Sequence, residues 1–244
     1  MIKHIVALSG GKDSTVMALR LAEIEPRVYQ YVITPTGDEL PEMYEHWRLL
    51  GDLLGEPLVM LTSGYSLKGL VRKWEALPNH RQRWCTRVLK IEPFNAYLLE
   101  NAPAVSYVGL RADEEARTGN TLYGGVVGIE QRYPLREWGW GLSEVLGYLE
   151  EREISIPKRT DCGRCFFQRL PEWWNLWRDN PDMYADAEAD EALTDHTYRS
   201  PGRDTWPAGL AELRVEFQKG KIPKGAGQLE LFDSRANMCR TCSL

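Results

Sequence analysis

Two rhythms of apolar and polar positions run through the chain. Residues 2–8, Ile2-Lys3-His4-Ile5-Val6-Ala7-Leu8, form a short apolar run that predicts a central strand. Beyond Gly10 and Gly11 the spacing becomes helical near Asp13, with Val16, Leu19 and Ile24 expected on the inner face. Residues 28–33, rich in β-branched and aromatic side chains, predict a second strand that Pro35 and Gly37 terminate. Residues 41–54 predict a helix with proline in its first turn, and 57–61 a third strand. Helix, strand and helix are then expected over 90–99, 104–109 and 142–151. Strands alternating with helices imply an α/β fold whose parallel sheet is covered by helices on both faces.

The pattern changes near Pro157. Beyond it come a Cys-x-x-Cys pair, a tryptophan cluster, an acidic stretch, a Gly/Pro-rich stretch and a second Cys-x-x-Cys pair. The expected division is a nucleotide-binding α/β domain over 1–157 and a small, mostly helical, Cys-rich metal-binding segment over 158–244. That segment is expected to need the first domain, or a metal, to fold.

The turn Ser9-Gly10-Gly11-Lys12-Asp13-Ser14 joins the first strand to the first helix. A tight strand-to-helix turn offers an anion the unpaired amides and positive dipole end of a helix. Gly10 and Gly11 let the backbone approach closely, Ser9 and Ser14 add hydroxyls, and Lys12 adds charge. Asp13 is placed to cap the helix or to help hold Mg²⁺. The spacing is not that of a Walker A loop, so this is a different phosphate cradle.

This turn resembles the signature of the PP-loop ATP pyrophosphatases, the adenine nucleotide α-hydrolases. Further motifs are similar to the PAPS reductase-like branch of that superfamily. They are Thr36-Gly37-Asp38-Glu39-Leu40-Pro41-Glu42, Trp84-Cys85-Thr86-Arg87-Val88-Leu89-Lys90-Ile91-Glu92-Pro93, Gly109-Leu110-Arg111-Ala112-Asp113-Glu114-Glu115 and Tyr133-Pro134-Leu135-Arg136-Glu137-Trp138. The resemblance implies a Rossmann-like PP-loop fold and a nucleotide site that includes Asp38. Sulfate-reducing members usually lack the Lys-Asp pair in this turn. Its presence as Lys12-Asp13 fits ATP, cleaved at the α-phosphorus to adenylate a substrate and release pyrophosphate, with sulfur transfer to follow. The alternative is a PAPS or APS reductase releasing sulfite, regenerated by a thioredoxin-like reductant. A third reading is a nucleotide- or nucleic-acid-binding protein without turnover. Glu115 stands where the family's motif has serine.

Arg81, Arg83, Arg87 and Lys90 crowd around Cys85. Guanidinium forks suit phosphate and sulfate, so Arg83, Arg87 and Lys90 are expected at the nucleotide, joined by Arg111 from the strand at 104–109. Nearby cations favour thiolate, which makes Cys85 a candidate nucleophile, persulfide carrier or cluster ligand. Lys12, Asp13, Cys85 and Arg111 form the expected catalytic set.

Cys162-Gly163-Arg164-Cys165 and Cys239-Arg240-Thr241-Cys242 are two knuckles that together can supply four thiolates to one metal. The family resemblance places a [4Fe-4S] cluster ahead of Zn²⁺, and Cys239 is alternatively the C-terminal nucleophile of a reductase. Trp173, Trp174 and Trp177 read as a hydrophobic face, and the acidic residues of 179–195 as a solvated helix.

With a net charge of -5 the whole chain is not a polycation seeking nucleic acid, although tRNA or DNA acceptors fit the local basic clusters. Five cysteines without an export pattern point to metal or redox chemistry in a cytoplasmic protein, and no apolar run is long enough for a membrane span.

Overall fold

The computed structural model describes residues 2–114 and 128–226. Five strands, β1 (Lys3–Ala7), β2 (Gln30–Ile33), β3 (Val59–Met60), β4 (Ala104–Tyr107) and β5 (Ile129–Arg132), form one sheet in the order β3-β2-β1-β4-β5. Every pairing is parallel. The expected α/β architecture with a parallel sheet is therefore what the chain adopts.

Period-two alternation sends neighbouring residues of β1 to opposite faces. Val6 joins a core with Val16, Met17 and Leu21 of α1 (Lys12–Ile24), Met43, Trp47 and Leu50 of α2 (Pro41–Leu54), and Val145 and Leu149 of a helix at Leu142–Glu151. Ile5 faces the other way, against Phe94 and Leu98 of a helix at Glu92–Glu100. Ile24, expected inside, is the last residue of α1 and is 44% exposed. Among the described residues no helix is long and apolar enough to cross a membrane.

In chain order the remaining helices are α3 (Leu67–Trp74), α4 (Trp84–Thr86, continued by a π-helical turn at Arg87–Ile91), α5 (Glu92–Glu100), α6 (Pro134–Glu137), α7 (Leu142–Glu151), α8 (Leu170–Asp179), α9 (Pro181–Thr194) and α10 (Leu210–Gln218). A second core is shared across residue 157. It joins Leu67, Leu70, Val71 and Leu89 to Trp173, Leu176, Tyr184, Leu213 and Phe217. The Cys-rich segment thus folds against α3 and α4 rather than around a core of its own. Trp173 is fully buried, packed on Tyr184 and Tyr198, as a hydrophobic face requires.

The acidic stretch departs from expectation. Asp190 and Glu191 of α9 are buried, at 2% and 8% exposure. Glu191 accepts from the amides of Tyr198 (2.8 Å) and Leu210 (2.7 Å), which ties the loop before α10 to α9. Burial pushes its pKa up to about 7, and these two hydrogen bonds offset that only in part. The folded chain therefore keeps a proton between about pH 4.5 and 7 that the unfolded chain releases, so Glu191 lowers stability as pH rises through that window. Glu191→Gln keeps one acceptor and cannot ionise. Urea unfolding from pH 4.5 to 8 should show lower stability at the acid end and a shallower fall towards neutral pH than in the parent; parallel curves would contradict this assignment.

Candidate functional site

β1 ends at Ala7, and the chain passes through Gly10 at φ +84° into α1. A Cβ on Gly10 would come within 2.7 Å of Trp47 Nε1 and 2.9 Å of Met43 Cε, so α2 buttresses the turn closely. Trp47 Nε1 also donates to the Ser9 carbonyl at 3.2 Å. Gly11 begins α1 in an extended conformation with no side-chain cap, leaving the dipole end of a 13-residue helix beside the turn.

The serines shape the loop itself. Ser14 Oγ donates to the Gly11 carbonyl (3.1 Å) and accepts from the Ser9 amide (3.2 Å). Ser9 Oγ lies 2.9 Å from Ser14 Oγ and accepts from the Gly11 amide at 3.2 Å. With the Ser14 proton on Gly11, the Ser9 proton goes to Ser14. Neither hydroxyl then offers a proton to an anion, which leaves the helix start and the Lys12 ammonium as the loop's donors.

Lys12 is 1% exposed, and its Nζ lies 3.3 Å from Asp13 Oδ2. The Asp13 carboxylate also receives Arg111 Nη1 on both oxygens, at 3.2 and 3.1 Å. Arg111, 4% exposed, reaches Asp113 through Nε at 2.8 Å. Its burial is outweighed by Asp13, Asp113 and Glu114, and its pKa is raised. The loop after β4 is held in turn by Arg136, which donates to the carbonyls of Arg111 (3.3 Å) and Glu114 (2.7 Å). Arg136 lies inside the Tyr133–Trp138 motif, where its sequence neighbours do not mark it as a site residue.

β4 and α1 meet at Gly109. A Cβ there would stand 3.1 Å from Ser14 Cα and N and 3.2 Å from Asp13 C, all backbone atoms that cannot swing away. Gly109→Ala should therefore displace the first turn of α1 and cost about 1–3 kcal/mol, read by urea unfolding. A variant as stable as the parent would show that this contact yields freely.

The other predicted residues are placed differently. Both Asp38 oxygens receive the Arg164 fork, Nε at 2.8 Å and Nη2 at 2.5 Å. Gly163 N donates to the Asp38 carbonyl at 2.6 Å, and Glu39 pairs with Cys162 in a single β-bridge. Asp38 thus clamps the first cysteine knuckle onto the loop after β2. Thr160 Oγ1 lies 3.6 Å from the position of a Gly11 Cβ, so the approach to the knuckle also borders the glycine turn. Arg83 and Arg87 line a groove beside Trp74, whereas the charge of Lys90 is felt by Cys85.

Cys85, Cys162 and Cys165 are buried in one core with free thiols. The expected activation of Cys85 by cations does not hold. Burial pushes its thiol up to about 11, the neighbouring Cys162 adds to this, and Lys90 only partly offsets it. Cys165 is held well above the ordinary thiol range, first by its hydrogen bond with Cys162 and then by burial. Arg159 closes the knuckle, donating to the Cys162 carbonyl at 2.9 Å and to Asp161 at 3.1 Å. Among the described residues no three His, Cys, Asp or Glu groups converge as a complete metal site. Cys239 and Cys242, the expected second pair, lie outside the described residues, as does Glu115.

Residues 3–159 match the family model described as the phosphoadenosine phosphosulfate reductase domain. The chain belongs to that family. Members of the PAPS reductase domain family need not share one reaction, and the relatives differ accordingly. An uncharacterised protein of Methanocaldococcus jannaschii is 24% identical over 191 residues, 74% of this chain and 39% of its own length. The chain therefore spans about two fifths of that relative. The PAPS reductase of Candida auris, solved as a phosphate complex, aligns with a TM-score of 0.51 at 16% identity over 65% of this chain and 76% of its own. The U34-tRNA thiolase NcsA of Methanococcus maripaludis, solved with its [4Fe-4S] cluster, aligns with a TM-score of 0.51 at 18% identity over 84% and 76%. At these identities the two structures establish the shared fold of the PAPS reductase domain.

Proposed function

We propose that the chain is an ATP pyrophosphatase of the PAPS reductase-like family that adenylates an acceptor in preparation for sulfur transfer. One observation carries this reading: the buried Lys12 ammonium stands at the uncapped start of α1, directly after a glycine turn, where a diphosphate would meet amides, dipole and cation together. The turn lies at the switch point between the paired strands β1 and β4, from which the chain runs on to opposite edges of the sheet, beyond the carboxyl ends of the strands, the usual ligand crevice of open α/β sheets.

An acceptor oxygen would attack the α-phosphorus, forming the new P–O bond as the bond to the β,γ-diphosphate breaks. The leaving pyrophosphate takes the electron pair, and the acceptor proton passes to water. Lys12, Arg111 and the α1 amides receive the charge that develops on the diphosphate. Mg²⁺ would enter on the phosphates, with Asp13 as the carboxylate at the turn. A sulfur nucleophile then attacks the acceptor carbon that carries the adenylated oxygen, forming a C–S bond as the C–O bond breaks, and AMP leaves with that oxygen and the electron pair.

Cys162 and Cys165 suit a thiophilic metal, being a buried thiol pair already in mutual contact, with Cys85 close by. Cys239 and Cys242 would complete the set, with a [4Fe-4S] cluster ahead of Zn²⁺. When bound, such a centre supplies electrons or a held sulfur atom near the nucleotide. The proximity of Thr160 to Gly11 supports placing the two functions side by side.

The family match also favours a second reading, reduction of PAPS or APS to sulfite with Cys239 as nucleophile and a thioredoxin-like reductant. Product analysis with ATP or PAPS decides between them. AMP and pyrophosphate from ATP in the presence of an acceptor support the adenylation reading. Sulfite from PAPS without ATP use would replace it.

A further inference from the structure

A groove of about 590 Å³ opens one residue from Cys85, lined by Trp74, Ala76, Gln82, Arg83, Trp84 and Arg87. Trp74, the last residue of α3, is 42% exposed and meets Trp84 edge to face with ring centroids 4.9 Å apart. Arg83 lies over the Phe167 ring at 5.7 Å, which fixes its guanidinium on this wall. Arg87 has a 3.6 Å ion pair with Glu92, both largely in water, an arrangement that holds the side chain weakly. The indole N–H of Trp84 is buried without an acceptor.

Charge around this groove is one-sided. Residues 68–90 hold seven Lys and Arg against one acidic residue, Glu75, in a chain of net charge -5. Lys68 is bound to Asp186 and Lys73 lies on Tyr65, but Arg72 and Arg81, close in sequence to Trp74 and Gln82, are exposed. The basic residues near α10 differ, because Arg199, Arg214, Lys219 and Lys221 pair with Asp204, Glu188 and Glu216.

An exposed indole beside guanidinium forks suits a planar ring joined to phosphates. A base stacked inside a duplex cannot present its face to Trp74, whereas an unpaired one can. Four arginines over 72–87, Arg72, Arg81, Arg83 and Arg87, also exceed what the phosphate of one mononucleotide engages. We infer that the Trp74–Trp84 groove binds an unpaired nucleotide of a polynucleotide strand, its base against Trp74 and its flanking phosphates on Arg83 and Arg87. This deepens the adenylation reading and rests on it only for purpose, by making the acceptor a polynucleotide; the binding itself requires no cleavage of ATP.

The test is fluorescence anisotropy of the full chain, without ATP, using labelled single-stranded RNA and DNA 12-mers and a matched duplex. Single strands should bind at least about tenfold tighter than the duplex, and Trp74→Ala should lose about tenfold while Trp74→Phe retains most of the affinity. Arg87→Ala should flatten the slope of log affinity against log salt by about 0.7. Tighter binding of RNA than DNA would identify RNA as the strand through its 2′-hydroxyls, and the converse would identify DNA. Equal binding of duplex and single strand, or an unchanged Trp74→Ala, overturns the inference. Lys12→Ala serves as the separate control. If it leaves ATP affinity unchanged while Trp74→Ala abolishes strand binding, the nucleotide reading fails and the groove assignment stands.

Discussion

Arg164→Ala is expected to cost about 3–5 kcal/mol of folding stability, because it leaves two buried carboxylates without their cation. Arg164 is 1% exposed and forks onto Asp38 while Nη1 meets Asp190 at 2.6 Å. Tyr198 donates to the same Asp190 oxygen at 3.1 Å. Burial already raises the pKa of both carboxyls, and Arg164 is the main force opposing it. Without the guanidinium, Asp38 and Asp190 lose that opposition and must either stay charged in the interior or take up protons. The deficit should therefore be largest at pH 8 and shrink as pH falls through the raised pKa values. Arg164→Lys should rescue only partly, since one ammonium cannot fork across Asp38 and reach Asp190. Urea unfolding at pH 5 and 8 reads this directly. A loss below about 1 kcal/mol at pH 8 would mean the network contributes little to holding the knuckle.

Lys12→Ala is expected to slow ATP cleavage by about 10²–10³-fold, the scale of removing one preorganised charge from a leaving group. The Asp13–Arg111 pair survives the change, so the fold should persist, as judged by far-UV circular dichroism and thermal melting. Lys12→Arg should not restore the rate, because a planar fork cannot occupy the space of a compact ammonium that is 1% exposed. Unchanged turnover in Lys12→Ala would remove the ammonium from the mechanism.

Local signals carried the first half of the molecule. The apolar run of β1, the glycine turn and the helical spacing after it are contiguous in the chain, and the structure joins them as expected. Elements without a clean pattern were missed. β5 is Ile129-Glu130-Gln131-Arg132, a polar edge strand none of whose residues is fully buried. α3 contains Gly69 and is short, although Ser66, whose hydroxyl accepts from the Gly69 amide at 3.0 Å, was a readable cap. Long-range pairing was invisible altogether. Asp38 reads as a nucleotide contact in its motif, yet its partner Arg164 lies 126 positions away, and the second half of that partnership is Asp190 within a stretch that composition marks as solvated. The environment of Cys85 was hidden in the same way. Its cationic sequence neighbours are real, but packing against Cys162 and the second core sets its proton affinity.

The composition change near Pro157 is also instructive. It marks where the sheet-bearing part ends, but the side chains beyond it complete a core begun by α3 and α4. The glycine turn and the cysteine knuckle are also neighbours, through Thr160 beside Gly11 and the Gly163 amide on the Asp38 carbonyl.

Amides at the start of α1 that meet the phosphates of a bound nucleotide should exchange their protons more slowly once it binds. Hydrogen exchange with mass spectrometry, with and without Mg²⁺ and ATP, measures this at the backbone. Slower exchange confined to peptides covering residues 9–16 and the loop after β4 is the predicted result. Exchange unchanged there, with ATP protecting another region instead, would contradict the account.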